Sequence, residues 1–215
     1  QFVQHGFRVV DFKKKADVYI INTCTVTALA EKKCRNIIRQ AIGTNPDAIV
    51  AAIGCFAQNN SQEIEQIEGV DFILSVGGGS CIDSTKAISI GVFYDGDFWD
   101  FYTRKAVAEK ALPIGTILTI AAAGSEGSNG SVITKEDGMW KRDYGTDIFR
   151  PKFSILNPEL TCTLPAYQTA CGATDIMAHV FERYFTNTKE VEITDRLCEA
   201  VLLTMVKETP RVIAD

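Results

Sequence analysis

A run of three glycines between an apolar segment and a helical pattern most constrains how this chain can fold. The run, Gly77–Gly79, follows the apolar stretch Phe72–Val76 and precedes apolar-periodic residues Ile82–Val92. This pattern predicts a strand, a tight loop and a helix. Ser80 and Asp83 stand at the N-cap and N3 spacing of a capping box, which would start the helix just after the glycines.

Glycines at such a position allow backbone to approach a ligand closely, and the free N–H groups of the next helix suit a phosphate. We therefore expect this loop to hold the pyrophosphate of a dinucleotide. The alternative is a glycine-rich structural turn, because the spacing is not that of the G-x-G-x-x-G pattern.

Strands and helices alternate through the first three quarters of the chain, and the strands are nearly all apolar. This predicts a parallel sheet with helices covering both faces, an α/β fold of the dinucleotide-binding type. Ligands of such sheets sit at strand ends, which favours the phosphate interpretation. The predicted strands are Asp17–Asn22, Ala48–Ile53, Phe72–Val76, Pro113–Ile120 and Phe153–Leu156, and the helices are Thr27–Ile42, Ser61–Ile67, Ile82–Val92 and a short one at Thr103–Ala111.

A second loop of small residues, Ala121–Gly130, follows the fourth strand. Val132 and Ile133 indicate an edge strand, and Lys135–Asp147 is polar and is predicted to be loop. After Pro165 the period becomes helical, with helices at Ala166–Phe185, broken or not near Gly172, and at Val191–Lys207. The change in composition near residues 158–165 therefore predicts a boundary between an α/β part and an all-α domain.

Composition excludes several classes of protein. A net charge of −5 argues against a general nucleic-acid binder, and no apolar run approaches the length of a membrane span. Seven widely spaced cysteines indicate reduced thiols in a cytoplasmic protein, and no N-terminal signal segment is evident. His5 and His179 are the only histidines, so a histidine-rich metal site cannot be complete within these residues.

Two side-chain pairs could carry chemistry. Asp175 and His179 are four residues apart in a predicted helix, so they share a face and could hold iron or zinc; a plain surface pair is the alternative. Cys24 and Cys55 follow the first two strands and could be iron–sulfur or redox ligands, with buried packing thiols as the alternative. Ser125 is not in a G-x-S-x-G motif, so it is expected to donate to a phosphate or ribose.

From about Asp71 onward the chain resembles the iron-containing alcohol dehydrogenases, most closely their butanol dehydrogenase branch. The resemblance is carried by four motifs in order: DFILSVGGGSCIDSTKAI, GTILTIAAAGSEGSNGSVIT, PKFSILNPELTCTLP and GATDIMAHVFERYF. It implies a dinucleotide-binding domain followed by a helical domain, with hydride passing between NAD or NADP and a small alcohol or aldehyde beside a divalent metal. The implied cofactor-binding residues are Gly77, Gly78, Gly79, Ser80, Asp83, Lys86, Thr119 and Ser125, with Asp83 and Lys86 beside the nicotinamide ribose. The implied metal ligands are Asp175 and His179, the first two of four.

Some positions depart from this family. Ala123 stands where the family often has Thr, and Asn157 replaces a usual Asp. The last two metal ligands of the family are histidines that would lie beyond Asp215, so the resemblance leads us to expect weak activity or none.

Residues 1 to about 70 instead resemble the N-terminal domain of the tRNA methylthiotransferases. The carriers are GFRVVDF, ADVYIINTCTVTALAEKKCRNIIRQA and GCFAQ. Cys24 and Cys55 match the second and third cysteines that hold a [4Fe–4S] cluster there; the first has no counterpart here, and the radical-SAM cysteine triad is absent from the sequence.

The sequence therefore predicts three segments: 1–70 like the methylthiotransferase domain, 71–160 dinucleotide-binding, and 161–215 the start of a helical metal-binding domain. The expected function is an oxidoreductase, impaired by fusion. The alternatives are an iron–sulfur tRNA-modifying fragment, with tRNA as partner, and a non-catalytic α/β chimera. The sequence does not fix the oligomeric state, and a homodimer is one possibility.

Overall fold

A computed structural model of the chain describes residue 6 and residues 8–22, 28–53 and 72–214, with side chains for all of these except 22, 28–35 and 51–53. Seven strands and five α-helices lie in these ranges. The strands are β1 (Val18–Asn22), β2 (Ile49–Ile53), β3 (Phe72–Gly77), β4 (Ile114–Leu118), β5 (Gly130–Lys135), β6 (Trp140–Gly145) and β7 (Phe153–Ile155). The helices are α1 (Ala28–Thr44), α2 (Gly79–Gly91), α3 (Trp99–Tyr102), α4 (Ala166–Tyr184) and α5 (Glu192–Ala214).

Five of these strands form one parallel sheet in the order β1-β2-β3-β4-β7, as the alternating apolar strands predict. Neighbouring strands are thus joined by crossover connections, as parallel pairs require. Ala51 of β2 pairs with Phe72 of β3, so the sheet runs without a break across the join predicted near residue 71. The predicted α/β class, followed by a helical part, is confirmed.

Two apolar clusters can be defined among the residues that the structure describes. Helix α1 covers one face of β1 and β2, where Tyr19, Ile21 and Val50 are at most 4% exposed, whereas Ile20 and Ile49 on the other face are 44% and 49% exposed. Each fully buried side chain of this kind stabilises the fold by about 1.5–3 kcal/mol. The second cluster packs α2 and α3 against the β5–β6 hairpin through Ala87, Ile90, Phe101, Tyr102, Tyr144 and Phe149.

Two sequence predictions between β3 and β7 are wrong. The helix predicted over Thr103–Ala111 is absent, because α3 ends at Tyr102 and the backbone turns left-handed at Arg104 (φ +61°). The segment Lys135–Asp147, predicted to be loop, contains β6, which pairs antiparallel with β5. Only Tyr144 of β6 is buried, so the other side chains of the strand have the polarity expected of a loop.

The helical part consists of α4 and α5, which pack against each other. Helix α4 is continuous through Gly172, and the predicted helix in this last stretch of chain extends seven residues past Lys207 despite Pro210. The helix predicted over Ser61–Ile67 lies outside the described residues. None of the helices in the described part of the chain is both long and apolar enough to cross a membrane.

Candidate functional site

The glycine run leads directly into the first turn of α2. Gly78 is the N-cap, with extended backbone (φ −88°, ψ −170°), and its carbonyl oxygen accepts hydrogen bonds from the N–H groups of Cys81 and Ile82 at 3.1 Å. The first N–H groups of a helix have no partner within the helix. The start of α2 therefore presents donors, and the positive end of the helix dipole, beside the carboxyl end of β3.

The predicted capping box at Ser80 and Asp83 is wrong. The extended N-cap conformation falls on Gly78, so the helix begins at Gly79 and Ser80 lies inside its first turn. Gly78 has no side chain that could cap the helix, and the carboxylate of Asp83 is directed to another part of the chain. Ser80 is exposed and available to a ligand.

Two of the three glycines are required by the protein itself. A Cβ on Gly77 would lie 2.7 Å from Cys81 Cβ, and one on Gly78 would lie 2.5 Å from Ile120 Cγ2. Gly79 differs, because its nearest neighbour would be Ser125 Cβ at 4.0 Å, an ordinary contact. The protein leaves space above Gly79, as expected where a ligand approaches the backbone.

The second loop lies against the first. The N–H of Thr119, just after β4, donates to the carbonyl of Gly77 at 3.1 Å, so the two strand ends stay side by side. Gly124 adopts a left-handed conformation (φ +78°) and starts a short 3-10 turn, Ser125–Gly127. Both loops therefore lie at the carboxyl edge of the sheet, where parallel α/β proteins bind ligands.

Asp83 connects α2 to the second loop and to the start of β5. Its Oδ1 accepts a hydrogen bond from Ser125 Oγ at 2.5 Å, and its Oδ2 accepts one from the N–H of Val132 at 2.9 Å. Its carbonyl accepts from Ser131 Oγ at 2.8 Å. All three contacts bind α2 to residues 125–132.

Lys86, one turn further along α2, is completely buried. Its Nζ donates to five oxygens: the carbonyls of Ser125 (2.8 Å), Ser128 (3.1 Å) and Gly130 (2.7 Å), and the hydroxyls of Ser125 and Ser128 (both 3.1 Å). The pKa of Lys86 is lowered to about 8, mainly by burial and to a smaller extent by Arg150, against the opposing charges of Asp83 and Glu126.

These contacts change the interpretation of two predicted cofactor ligands, Lys86 and Ser125. Lys86 cannot touch a ribose here, because protein oxygens surround its ammonium group. Ser125 is buried and donates its hydroxyl hydrogen to Asp83, so a bond from Ser125 to a cofactor would require breaking that contact. Gly77, Gly78, Gly79, Ser80 and Thr119 do lie together around the start of α2 and keep their predicted role as a hypothesis.

The predicted metal ligands meet on α4. His179 Nε2 lies 3.8 Å from Asp175 Oδ2, and both side chains are close to half exposed. A zinc–nitrogen and a zinc–oxygen bond together span about 4.2 Å, so an ion could bind both atoms. No group of three or more His, Cys, Asp or Glu side chains that could hold a metal occurs among the described residues.

Helix α4 is anchored to the second loop through Gly172. A Cβ there would lie 2.6 Å from the carbonyl oxygen of Ala121, so only glycine permits this approach. Gly172 is three residues before Asp175 and seven before His179, which places all three along one face of the helix. The helix that carries Asp175 and His179 therefore makes direct backbone contact with the second loop.

Three further residues, Cys24, Cys55 and Asn157, are singled out by the sequence. Cys24 and Cys55 lie outside the described residues. Asn157, which replaces a usual Asp, accepts a hydrogen bond from the N–H of Glu159 and caps the short 3-10 turn Pro158–Thr161.

Sequence reasoning missed the polar contacts that support Asp83. Tyr102 Oη lies 2.7 Å from Ser131 Oγ, which itself donates to the Asp83 carbonyl. Burial raises the pKa of Tyr102, so its phenol stays protonated and donates to Ser131. No local pattern links residues so far apart in sequence, although Gly172 on the face of Asp175 could have signalled a close backbone approach.

Comparison with known proteins identifies the family. The model of the iron-containing alcohol dehydrogenases matches residues 25–158. The chain is 51% identical over 146 residues to a probable NADH-dependent butanol dehydrogenase 2 of Bacillus subtilis, covering 68% of this chain and 37% of that protein. The crystal structure of an NADH-dependent butanol dehydrogenase A from Thermotoga maritima superimposes with a TM-score of 0.74 at 30% identity, covering 100% of this chain and 52% of that one.

A second likeness covers a smaller part of the chain. A threonylcarbamoyladenosine tRNA methylthiotransferase, MtaB of Bacillus subtilis, is 48% identical over 73 residues, which is 34% of this chain and 16% of that protein. Both predicted resemblances are therefore confirmed. The chain spans about half the length, or less, of each of these relatives.

The family model extends over more than half of the chain, and the fold superimposes on that of a butanol dehydrogenase along the whole chain. The chain belongs to the iron-containing alcohol dehydrogenase family.

Proposed function

We propose that the chain binds a nicotinamide dinucleotide at Gly77–Ser80 and serves a metal-dependent oxidoreductase that transfers hydride between the nicotinamide and a small alcohol or aldehyde. The observation that carries this proposal is a convergence at one edge of the sheet. The glycine run after β3, the second loop after β4 and the Gly172 face of α4 meet there. The relatives named NADH-dependent butanol dehydrogenases support the same chemistry.

The dinucleotide would bind through its pyrophosphate. The N–H groups in the first turn of α2 supply donors, the helix dipole favours the negative charge, and the open space at Gly79 lets the phosphates approach. The exposed hydroxyl of Ser80 can add a further donor. NAD and NADP both fit these contacts, because the pyrophosphate is the same in the two cofactors.

The metal would bind at Asp175 and His179. An oxygen and an imidazole nitrogen 3.8 Å apart suit iron(II) or zinc, which when bound would polarise the carbonyl oxygen of the substrate. A four-coordinate site requires two more donors, which water, substrate or further protein residues would provide.

The Gly79→Ala variant tests the cofactor site. The new Cβ would meet protein only at ordinary contact distance, so the free energy of unfolding should change by less than about 1 kcal/mol. The same Cβ would occupy the space for the pyrophosphate, so the affinity for NADH or NADPH, measured by calorimetry, should fall about tenfold or more.

Gly127→Ala is the matched control, because a Cβ there meets nothing within 4 Å. It should alter neither stability nor cofactor affinity. Wild-type protein that binds neither dinucleotide, or a Gly79→Ala variant that binds as tightly as wild type, would contradict the proposed site.

The methylthiotransferase likeness supports a second candidate for one part of the chain. We propose that residues 1–70 derive from that family, 71–160 are the dinucleotide-binding segment and 161–215 begin the helical metal-binding domain. Under this alternative Cys24 and Cys55 ligate a [4Fe–4S] cluster and the partner is tRNA. Anaerobic reconstitution with iron and sulfide should then give a cluster absorbance that Cys24→Ala abolishes; an unchanged spectrum after reconstitution excludes it.

A further inference from the structure

Lys86 is a buried cation to which the proposed cofactor and metal sites assign no direct contact. It is fully buried, and all its polar contacts are to one short segment, Ser125–Gly130. An ammonium group has three hydrogens, so five acceptors within 3.1 Å share them through bifurcated bonds. Such convergence of oxygens is favourable only around a cation.

The two ends of this contact belong to the two halves of the cofactor site. Lys86 is on α2, whose first turn follows the glycine run, and Ser125 is part of the second loop, Ala121–Gly130. Asp83 binds the same segment one turn earlier. The position of the second loop against the first therefore depends on the charged ends of these two side chains.

We propose that Lys86 is a positioning residue: its ammonium holds Ser125–Gly130 against α2, so that the spacing of the two loops, and with it the affinity for the dinucleotide, depends on the charge of Lys86. This proposal rests on the proposed cofactor site. It replaces the direct ribose contact expected for Lys86 with an indirect role.

The environment of Lys86 gives the proposal a pH dependence. Burial brings its pKa to about 8; Asp83 on its own helix and Glu126 in the facing turn favour the charge, and Arg150 opposes it. Below that pH the ammonium donates three hydrogens. Above it the neutral amine donates two and carries a lone pair. Three of the five facing oxygens are carbonyls, which cannot donate to it, and the hydroxyls of Ser125 and Ser128 already donate to Asp83 and to the carbonyl of Gly130. The segment should then move away, and cofactor affinity should fall as the pH rises through about 8.

The experiment compares wild type with Lys86→Met, which keeps the length of the side chain but not the charge. The dissociation constant for NADH is measured from pH 6.5 to 9.5, a range in which NADH itself does not titrate. We expect wild-type affinity to weaken several-fold across pH 8, and Lys86→Met to bind about tenfold more weakly at pH 7 with no such step. Lys105→Met is the control, because its ammonium is exposed on another element.

A second measurement does not require the cofactor. Amide resonances of Gly127, Ser128 and Gly130 should shift with a midpoint near pH 8 in wild type and lose that transition in Lys86→Met. A wild-type titration without this midpoint overturns the proposal whether or not the variant folds. NADH binding that does not change with pH or with Lys86→Met also overturns the proposal, but leaves the cofactor site intact. If NADH does not bind and the amides still titrate, the result counts against the cofactor site, and therefore against the effect of Lys86 on affinity.

Discussion

At the residue scale, the glycines of this site serve distinct purposes that only their surroundings reveal. Gly78 permits the backbone of the first loop to pass Ile120, and Gly172 permits a helix to meet the carbonyl of Ala121. Gly124 supplies a left-handed turn, and Gly79 has open space around it. A substitution at each of these glycines should therefore be tolerated or disruptive for a different physical reason.

Gly78→Ala should destabilise the protein by about 1–2 kcal/mol. Its extended backbone accepts alanine, but the new Cβ would lie 2.5 Å from Ile120 Cγ2 and force one of the two to move. Urea unfolding measures the loss. Because the clash is with one side chain, adding Ile120→Ala should recover part of it, and the double variant should be more stable than the sum of the single changes predicts. Strict additivity would show that the contact is not the cause.

Lys86 and Asp83 show where residue-level prediction from sequence ends. The capping-box spacing of Ser80 and Asp83 is a real pattern, yet three glycines allow the helix to start earlier, so the pattern has no capping role. The burial of Lys86 depends on oxygens about forty residues away, which no local rule supplies. Contacts of this length come from packing, and packing is visible only in three dimensions.

At the scale of elements, apolar content decided which strands could be predicted. Strands β1 to β4 and β7 have enough apolar residues to be recognised, and each was predicted within two residues of its bounds. Strand β6 is not recognised from the sequence because Tyr144 is its only buried side chain. The strand therefore lacks the apolar residues that identify the strands of the larger sheet. The short helix predicted at Thr103–Ala111 does not form, because α3 ends at Tyr102 and the backbone is left-handed at Arg104.

The contact between α4 and the second loop gives a prediction at this scale. Gly172→Ala should cost about 1–3 kcal/mol and weaken dinucleotide binding, because the carbonyl of Ala121 is backbone and cannot move without displacing the loop. The matched control is Gly43→Ala in α1, where a Cβ meets nothing within 4 Å; it should be neutral or slightly stabilising, as alanine favours helix. Urea unfolding and NADH titration of both variants check this. Equal behaviour of the two would mean that α4 does not depend on close contact with the loop.

At the scale of the whole molecule, one sheet joins segments that resemble two families. Strand β2 lies in the segment that we propose to derive from the methylthiotransferases, although the dehydrogenase family model also covers it, and it pairs in parallel with β3 of the dehydrogenase part. A parallel sheet requires apolar strands and covering helices more than a particular ancestry, so the pairing can form whatever the origin of each strand. The two apolar clusters belong to different parts of the chain: one packs α1 against β1 and β2, and the other packs α2 and α3 against Tyr144 and Phe149.

This arrangement predicts that the two segments unfold together. Ile38 is fully buried in the cluster of α1, β1 and β2, and Ile38→Ala should remove about 3 kcal/mol of packing there. Both tryptophans, Trp99 and Trp140, lie beyond β3, so their fluorescence reports only on the dehydrogenase part. If β2–β3 pairing makes the sheet one cooperative unit, the free energy of unfolding obtained from tryptophan fluorescence in urea should fall in Ile38→Ala by the whole of this lost packing energy. Ile90→Ala, in the other cluster, provides the reference shift. A tryptophan transition that Ile90→Ala moves and Ile38→Ala does not would show that the segments fold independently.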